Sequence, residues 1–267
     1  MKLAAVLALL LLSAAALAAN VTGFEDAGFA VTVTVNKDGS AHVEEQVQMI
    51  VSPAMVDLYK ESLRSTRLTI DDWRRTTGSL NLRYHVLGGN VTPLNTYIFP
   101  RPLQRFTYVE TSLATITVEY DTSGPIFTTR ELGPRLTAYS LIPDTLSFEN
   151  APEGQILPEN AVLTIIIPPS STVDLSRTFP RPTSPAGSAV STASAYTWNA
   201  TGGAIPLTPL EFTFNTEQSL DSEVSTFFSG VQMKATELLL SNYGLLAGVI
   251  VIILALLFFV LKQSKTI

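Results

Sequence analysis

The chain has no cysteine and only two histidines, His42 and His85, in 267 residues. The first absence excludes disulfide staples, thiolate nucleophiles and every zinc site built on cysteine sulfur. The second leaves a histidine-dependent mechanism few options. No H-E-x-x-H, G-x-S-x-G or glycine-rich phosphate loop occurs in the sequence. Charged residues are sparse at 15%, and the net charge of −6 argues against nucleic acid as a partner. Small exported domains usually need disulfides, but about 200 residues can bury enough apolar surface without them. A prokaryotic surface protein suits the lack of cysteine better than an animal receptor ectodomain.

What the chain does have is an apolar segment near each end. Lys2, the run Leu3 to Leu12 and the Ala16-Leu17-Ala18 triplet are the three parts of a secretory signal over residues 1–18, with cleavage after Ala18. Left uncleaved, the same run would be a second anchor. Leu238 to Leu261 carries no charged side chain, and a bilayer's hydrocarbon core takes about 20 apolar residues as a helix. The pattern predicts a transmembrane helix over 243–261 and a cytoplasmic tail over 262–267, where Lys262 and Lys265 set the orientation. The expected protein is a single-pass type I cell-membrane protein with its N-terminus outside and lipid around its span. The sequons at Asn20, Asn90 and Asn199 fall in the exported part and are glycosylation candidates, although Pro93 directly after Thr92 makes Asn90 a poor acceptor.

Between these segments the periodicity is that of strands. Phe29 to Val35 and Ala41 to Val51 alternate apolar and polar residues around Asn36-Lys37-Asp38-Gly39, which predicts a hairpin. In the second strand His42, Glu44 and Gln46 share one face, Val43, Val47 and Met49 the other, and Glu45 falls on the apolar side. Residues 53–77 change to helical spacing. Ser52 and Pro53 predict the start of one short helix, and Thr69-Ile70-Asp71-Asp72 is a capping box for a second around Trp73, ended by Gly78. Strands are then expected at Leu80 to Val86, Phe106 to Glu110 and Leu113 to Tyr120, with Pro100 and Pro102 breaking the segment between. Further strands are expected at Arg135 to Ile142, Leu146 to Glu149, Val162 to Ile167, Ala195 to Trp198 and Glu211 to Phe214.

The expected fold is mainly β, a β-sandwich-like ectodomain of one large or two small sandwiches with a short helical insertion. The expected division is 19–122 and 123–217, with a turn at Ser123-Gly124-Pro125 between the halves. Pro180 to Ala193 looks like a linker, but too little follows it to form a core. Trp198, Phe212 and Phe214 should therefore pack back on the preceding sheet. Charge is blocked along the ectodomain: residues 19–59, 60–105 and 106–237 carry −5, +5 and −9. Blocks of this kind can steer partners, and they are also ordinary solvated faces.

A juxtamembrane helix is expected over 218–242. Leu220, Val224, Phe227, Val231 and Leu238 keep a coiled-coil spacing, interrupted by Lys234. Carried into the span, the same register passes Ser241, Leu245, Gly248, Ile252 and Ala255, and Gly244 with Gly248 forms a GxxxG that lets a second helix approach closely. A continuous helix from Leu220 to Leu261 would be about 63 Å long, a stalk as well as an anchor. Homo- or hetero-association along this seam is one reading; packing of the stripe against the protein's own β domain is the other.

Residues able to carry chemistry are few. His42 with Glu44, joined by His85 from a neighbouring strand, is the best metal-like set, but a polar outer sheet face is the better account of it. Asp71 and Asp72 suit a helix N-terminus without further function. Arg74 and Arg75 beside Trp73 do not outweigh an exported location and a net negative charge. No catalytic residue, metal or cofactor is assigned.

The opening FAVTVTVNKDGSAHVEEQVQMIV resembles the start of the uncharacterised exported β-domain proteins of archaea and bacteria. The later VLTIIIPP, YTWNA and LEFTF are similar in style to their closing strands, and the terminal membrane helix completes the layout. The resemblance implies a single-span surface protein and no functional residues. The expected function is non-enzymatic: extracellular protein or glycan contacts made by the ectodomain. The alternative is a non-catalytic subunit of a larger membrane complex, recruited through its stalk and transmembrane helix.

Overall fold

The computed structural model of the chain describes residues 23–217, apart from 66–67, 88–90, 134, 153 and 187–188. The expected signal segment, stalk, span and tail, with their seam residues Leu220 to Ala255, lie outside the described residues. Among the described residues no helix is long and apolar enough to cross a membrane.

The first hairpin forms as the alternation predicts: β1 (Phe24–Val35) pairs antiparallel with β2 (Ala41–Val51) across the turn. A 3-10 turn at Pro53–Met55 leads into α1 (Val56–Leu63), and α2 (Ile70–Thr77) follows. Thr69 caps α2 by accepting from the Asp72 N–H at 3.2 Å while Asp72 accepts from the Thr69 N–H at 2.9 Å. Gly78 closes α2 in the left-handed region at φ 74°. Ser52, expected to cap the first helix, makes no side-chain cap bond; its hydroxyl is buried without a partner.

The remaining strands are β3 (Pro93–Pro100), β4 (Gln104–Arg105), β5 (Ser112–Thr122), β6 (Phe127–Glu131), β7 (Leu136–Leu141), β8 (Glu149–Ala151) and β9 (Gly154–Leu157). After them come β10 (Ala161–Ile166), β11 (Ser171–Asp174), β12 (Val190–Ser191), β13 (Ala195–Asn199), β14 (Ile205–Pro206) and β15 (Thr213–Glu217). They form a seven-stranded sheet ordered β13-β10-β1-β2-β5-β3 with β4 also on β5, a five-stranded sheet β12-β11-β15-β7-β6, and a small sheet β14-β9-β8. The fold is thus mainly β with several sheets. Strands from both sides of the turn at residues 123–125 share the first sheet, because β10 lies parallel to β1 and carries β13 beside it.

The core lies between the inner face of the first sheet and the second sheet. Val31, Val33, Val43, Val47, Ile116, Val118, Leu163 and Ile165 supply its aliphatic side. An aromatic set closes it: Trp198 and Tyr196 of β13 meet Phe212 at 5.7 and 5.3 Å, and Phe214 stacks on Tyr139 at 4.6 Å. Each fully buried ring of this kind is worth about 2 to 3 kcal/mol of transfer free energy. Trp198 Nε1 donates to the Pro180 carbonyl at 2.7 Å, so the Pro/Ser segment is pinned to the domain that it crosses.

Several expected strands are corrected. Residues 80–86 form no strand beyond an isolated bridge from Val86 to Leu146, and 106–110 form none. Phe106 and Val109 instead fold over a small cluster of Ala27, Ile50 and Leu113. Leu146 to Glu149 shrinks to that bridge and the start of β8. Glu211 only bridges Phe179, and its strand begins at Thr213. Conversely, β3 ends at a proline that looked like a breaker. An edge strand tolerates prolines because one side of its backbone needs no ladder bond.

Candidate functional site

Glu45 points inward from β2, as its place on the apolar face required, and it is 1% exposed. Facing it are Tyr120 of β5 and His85 of the segment between α2 and β3, both buried. Glu45 Oε1 accepts from the His85 backbone N–H at 2.8 Å and from the Tyr120 hydroxyl; Oε2 lies 2.7 Å from His85 Nδ1. The Val86 N–H donates to the Tyr120 oxygen at 3.1 Å. The backbone donors of His85 and Val86, and those of Ser79 and Asn81 earlier in segment 79–87, are therefore met by side chains instead of a neighbouring strand. That is why its alternating sequence does not produce a strand.

A carboxylate orienting an imidazole is half of a nucleophile-activating arrangement. The other half is missing here. His85 Nε2, where a nucleophile would be deprotonated, is buried and has no hydrogen-bond partner. Phe29 and Phe148 stack on the ring with centroids 4.7 and 5.3 Å away. The residue is fully buried, so Nε2 does not reach solvent. The cluster acts as a polar clamp that seats segment 79–87 on the sheet.

The metal-like set of His42, Glu44 and His85 is not brought together. His42 and Glu44 lie on the outer face of β2, whereas His85 is on the inner side with Glu45. His42 Nδ1 lies 2.8 Å from Asp121 Oδ1, and Glu44 accepts from the Gln46 amide at 2.6 Å. No group of three or more possible metal ligands occurs among the described residues. The signal for the true cluster was present in part, since Glu45 broke the apolar face of its strand. His85 was not recoverable, because alternation grouped it with Asn81 and Arg83.

Asp72 is engaged in the cap and in an ion pair with Arg75 at 2.6 Å. Trp73 is buried against Tyr59, so it offers no stacking surface. Asn199 ends β13, and its Oδ1 accepts from the Thr201 N–H at 3.0 Å and the Thr201 hydroxyl at 2.8 Å. Asn20 and Asn90 lie outside the described residues. A cleft of about 550 Å³ between residues 140–146 and 207–213 holds Asp144, Arg177 and Glu211, but neither histidine lines it.

Burial raises the phenol pKa of Tyr59, Tyr120, Tyr139 and Tyr196, aided at Tyr120 by the Glu45 charge and at Tyr139 by Asp38. A raised folded pKa makes the stabilising contribution complete below the unfolded value, about 10, and loses it as pH rises further. Urea midpoints measured from pH 8 to 11 should therefore hold up to about pH 9.5 and then fall. A flat profile to pH 11 would mean that these hydroxyls ionise freely in the fold.

The surface of the first sheet is the other distinctive feature. Its outer edge is β3, where Leu94, Tyr97 and Phe99 are 48%, 60% and 47% exposed. Compared with models of known protein families and with curated proteins, the chain matches none, so its function has to be read from these residues themselves.

Proposed function

We propose that the chain is a non-enzymatic, single-pass surface protein whose β domain makes protein or glycan contacts outside the cell. The exposed edge of β3 is the observation that supports this reading most. Three large apolar side chains stand in water along one strand, while the buried acid and imidazole pair is out of reach of any substrate. Isolated exposed apolar residues are normal, but several along one strand mark a contact surface. The surface pair of His42 and Asp121 lies on an open sheet face, which lacks the water-excluded concavity that catalysis uses.

The coiled-coil spacing of Leu220 to Leu238 and the glycine pair Gly244 and Gly248 favour the second reading, a subunit recruited through its stalk and span. Affinity recovery from membranes of the source organism separates the two. Residues 20–217, first checked for cooperative unfolding, should recover the same partner as the full chain if the β domain recognises it. Recovery by the full chain alone would reject the contact reading in favour of the subunit.

A further inference from the structure

The sequon at Asn199 lies at the end of an edge strand, and its side-chain amide is held in one orientation. Asn199 is the last residue of β13, and the chain turns away over Ala200, Thr201, Gly202 and Gly203. Neither position 200 nor position 202 is proline. Asn199 Oδ1 accepts from the Thr201 N–H and from the Thr201 hydroxyl. A backbone N–H can bond only the amide oxygen, so this contact fixes the orientation of the group and turns Nδ2 the other way. Nδ2 has no hydrogen-bond partner among the described residues, and it is not one of the buried polar atoms without a partner. It therefore reaches water.

The surroundings tolerate a substituent on that nitrogen. The Asn199 N–H donates to the Thr183 hydroxyl at 3.1 Å, and Thr197 exchanges backbone bonds with Ser184 at 2.8 and 3.2 Å, so residues 183–184 already satisfy the outer backbone of β13. Replacing one hydrogen of Nδ2 breaks none of these bonds. Ala200 is fully buried and anchors the turn from within. On its outer side the turn is open, because a Cβ at Gly202 or Gly203 would meet nothing within 4 Å.

From the sequon, the outward amide and the open turn we infer that Asn199 is N-glycosylated, by an oligosaccharide carried on a polyprenyl pyrophosphate. Nδ2 bonds to the anomeric carbon, the bond from that carbon to the pyrophosphate oxygen breaks, and the amide proton leaves with the pyrophosphate. The hydroxyl of Thr201, two residues on, is the part of the sequon that transfer requires. The inference rests on export, which belongs to the surface-protein reading above. β13 and β3 are the two edges of one sheet with four strands between them. A bulky, hydrated glycan at the β13 edge opposes strand pairing there and leaves the β3 edge for contact.

Mass spectrometry of the full chain purified from membranes of the source organism tests this on the peptide that holds Asn199. Most copies should carry a glycan mass on that residue. Asn199→Gln and Thr201→Ala should each lose the mass completely, and Thr201→Ser, which keeps the hydroxyl, should retain it. A bare Asn199 in the wild type, or a mass that persists in Thr201→Ala, overturns the inference. Labelling intact cells with a membrane-impermeant amine reagent separates that failure from failure of the surface reading, since Lys37 and Lys60 are exposed on the domain. Labelled lysines beside a bare Asn199 remove the glycan alone. Lysines that label only after lysis, beside a bare Asn199, remove both.

Discussion

Glu45→Ala is expected to destabilise the domain by about 4 kcal/mol, the largest loss from any single polar side chain in this fold. The carboxylate accepts from the His85 N–H and the Tyr120 hydroxyl and lies within hydrogen-bond distance of His85 Nδ1, all in a buried site. Truncation leaves these donors without acceptors where water does not reach, and each unsatisfied donor costs about 1 to 3 kcal/mol. The Val86 N–H keeps the Tyr120 oxygen only if that ring stays in place. Glu44, one residue earlier, is the internal control. Its side chain is on the outer face and bonds only Gln46, so Glu44→Ala should shift stability by about 0.5 kcal/mol. Urea unfolding reads both, as a lower midpoint at unchanged slope. Amide exchange at His85 and Val86 should also accelerate in Glu45→Ala more than exchange in β1 and β2. A loss near 1 kcal/mol would mean that segment 79–87 is seated by packing of Leu82 and Val86, not by the clamp.

That pair of neighbours shows what was legible in the sequence. Period-two alternation placed β1, β2 and β5 because one face of each is continuously apolar, and it put Glu44 and Glu45 on opposite faces. The capping box at Thr69 and the left-handed Gly78 were equally local signals, so α2 starts and stops where they predict. Residues 80–86 failed because their alternation is real while their partners are not a strand. The donors of His85 and Val86 are met by side chains that lie about 35 to 40 residues away in sequence. β3 failed for the opposite reason, since its prolines are harmful only in a central strand. Membership of β10 in the first sheet, parallel to β1, depends on a long-range crossover that no local pattern encodes. The stripe of Leu94, Tyr97 and Phe99 was invisible for the same reason as β3 itself: until the strand is placed, its faces cannot be assigned.

Gly39→Ala is expected to cost about 4 kcal/mol, although the residue sits in what the sequence presents as an ordinary hairpin turn. Its φ of +83° already disfavours a side chain, a strain of about 1 to 2 kcal/mol for alanine. The greater part of the effect comes from what the turn touches. Gly39 is buried, its carbonyl accepts from the N–H groups of Ile126 and Phe127 at 2.8 and 3.1 Å, and Tyr139 donates to the carbonyl of Lys37, two residues earlier, at 2.8 Å. The tip of the first hairpin is thus seated on β6 and β7 of the second sheet. A Cβ at Gly39 would meet the Phe127 carbonyl oxygen, a backbone atom that cannot swing aside as a side chain can. Relief requires the tip to lift, which breaks the two bonds to Gly39 together. Gly78→Ala separates strain from seating, because Gly78 has a similar φ of +74° and open space around its Cβ position. That variant should lose about 1 to 2 kcal/mol in the same urea measurement. The difference between the two substitutions then isolates the contact that ties one sheet to the other. Equal losses would show that seating the tip adds nothing to stability beyond the strain of the turn itself.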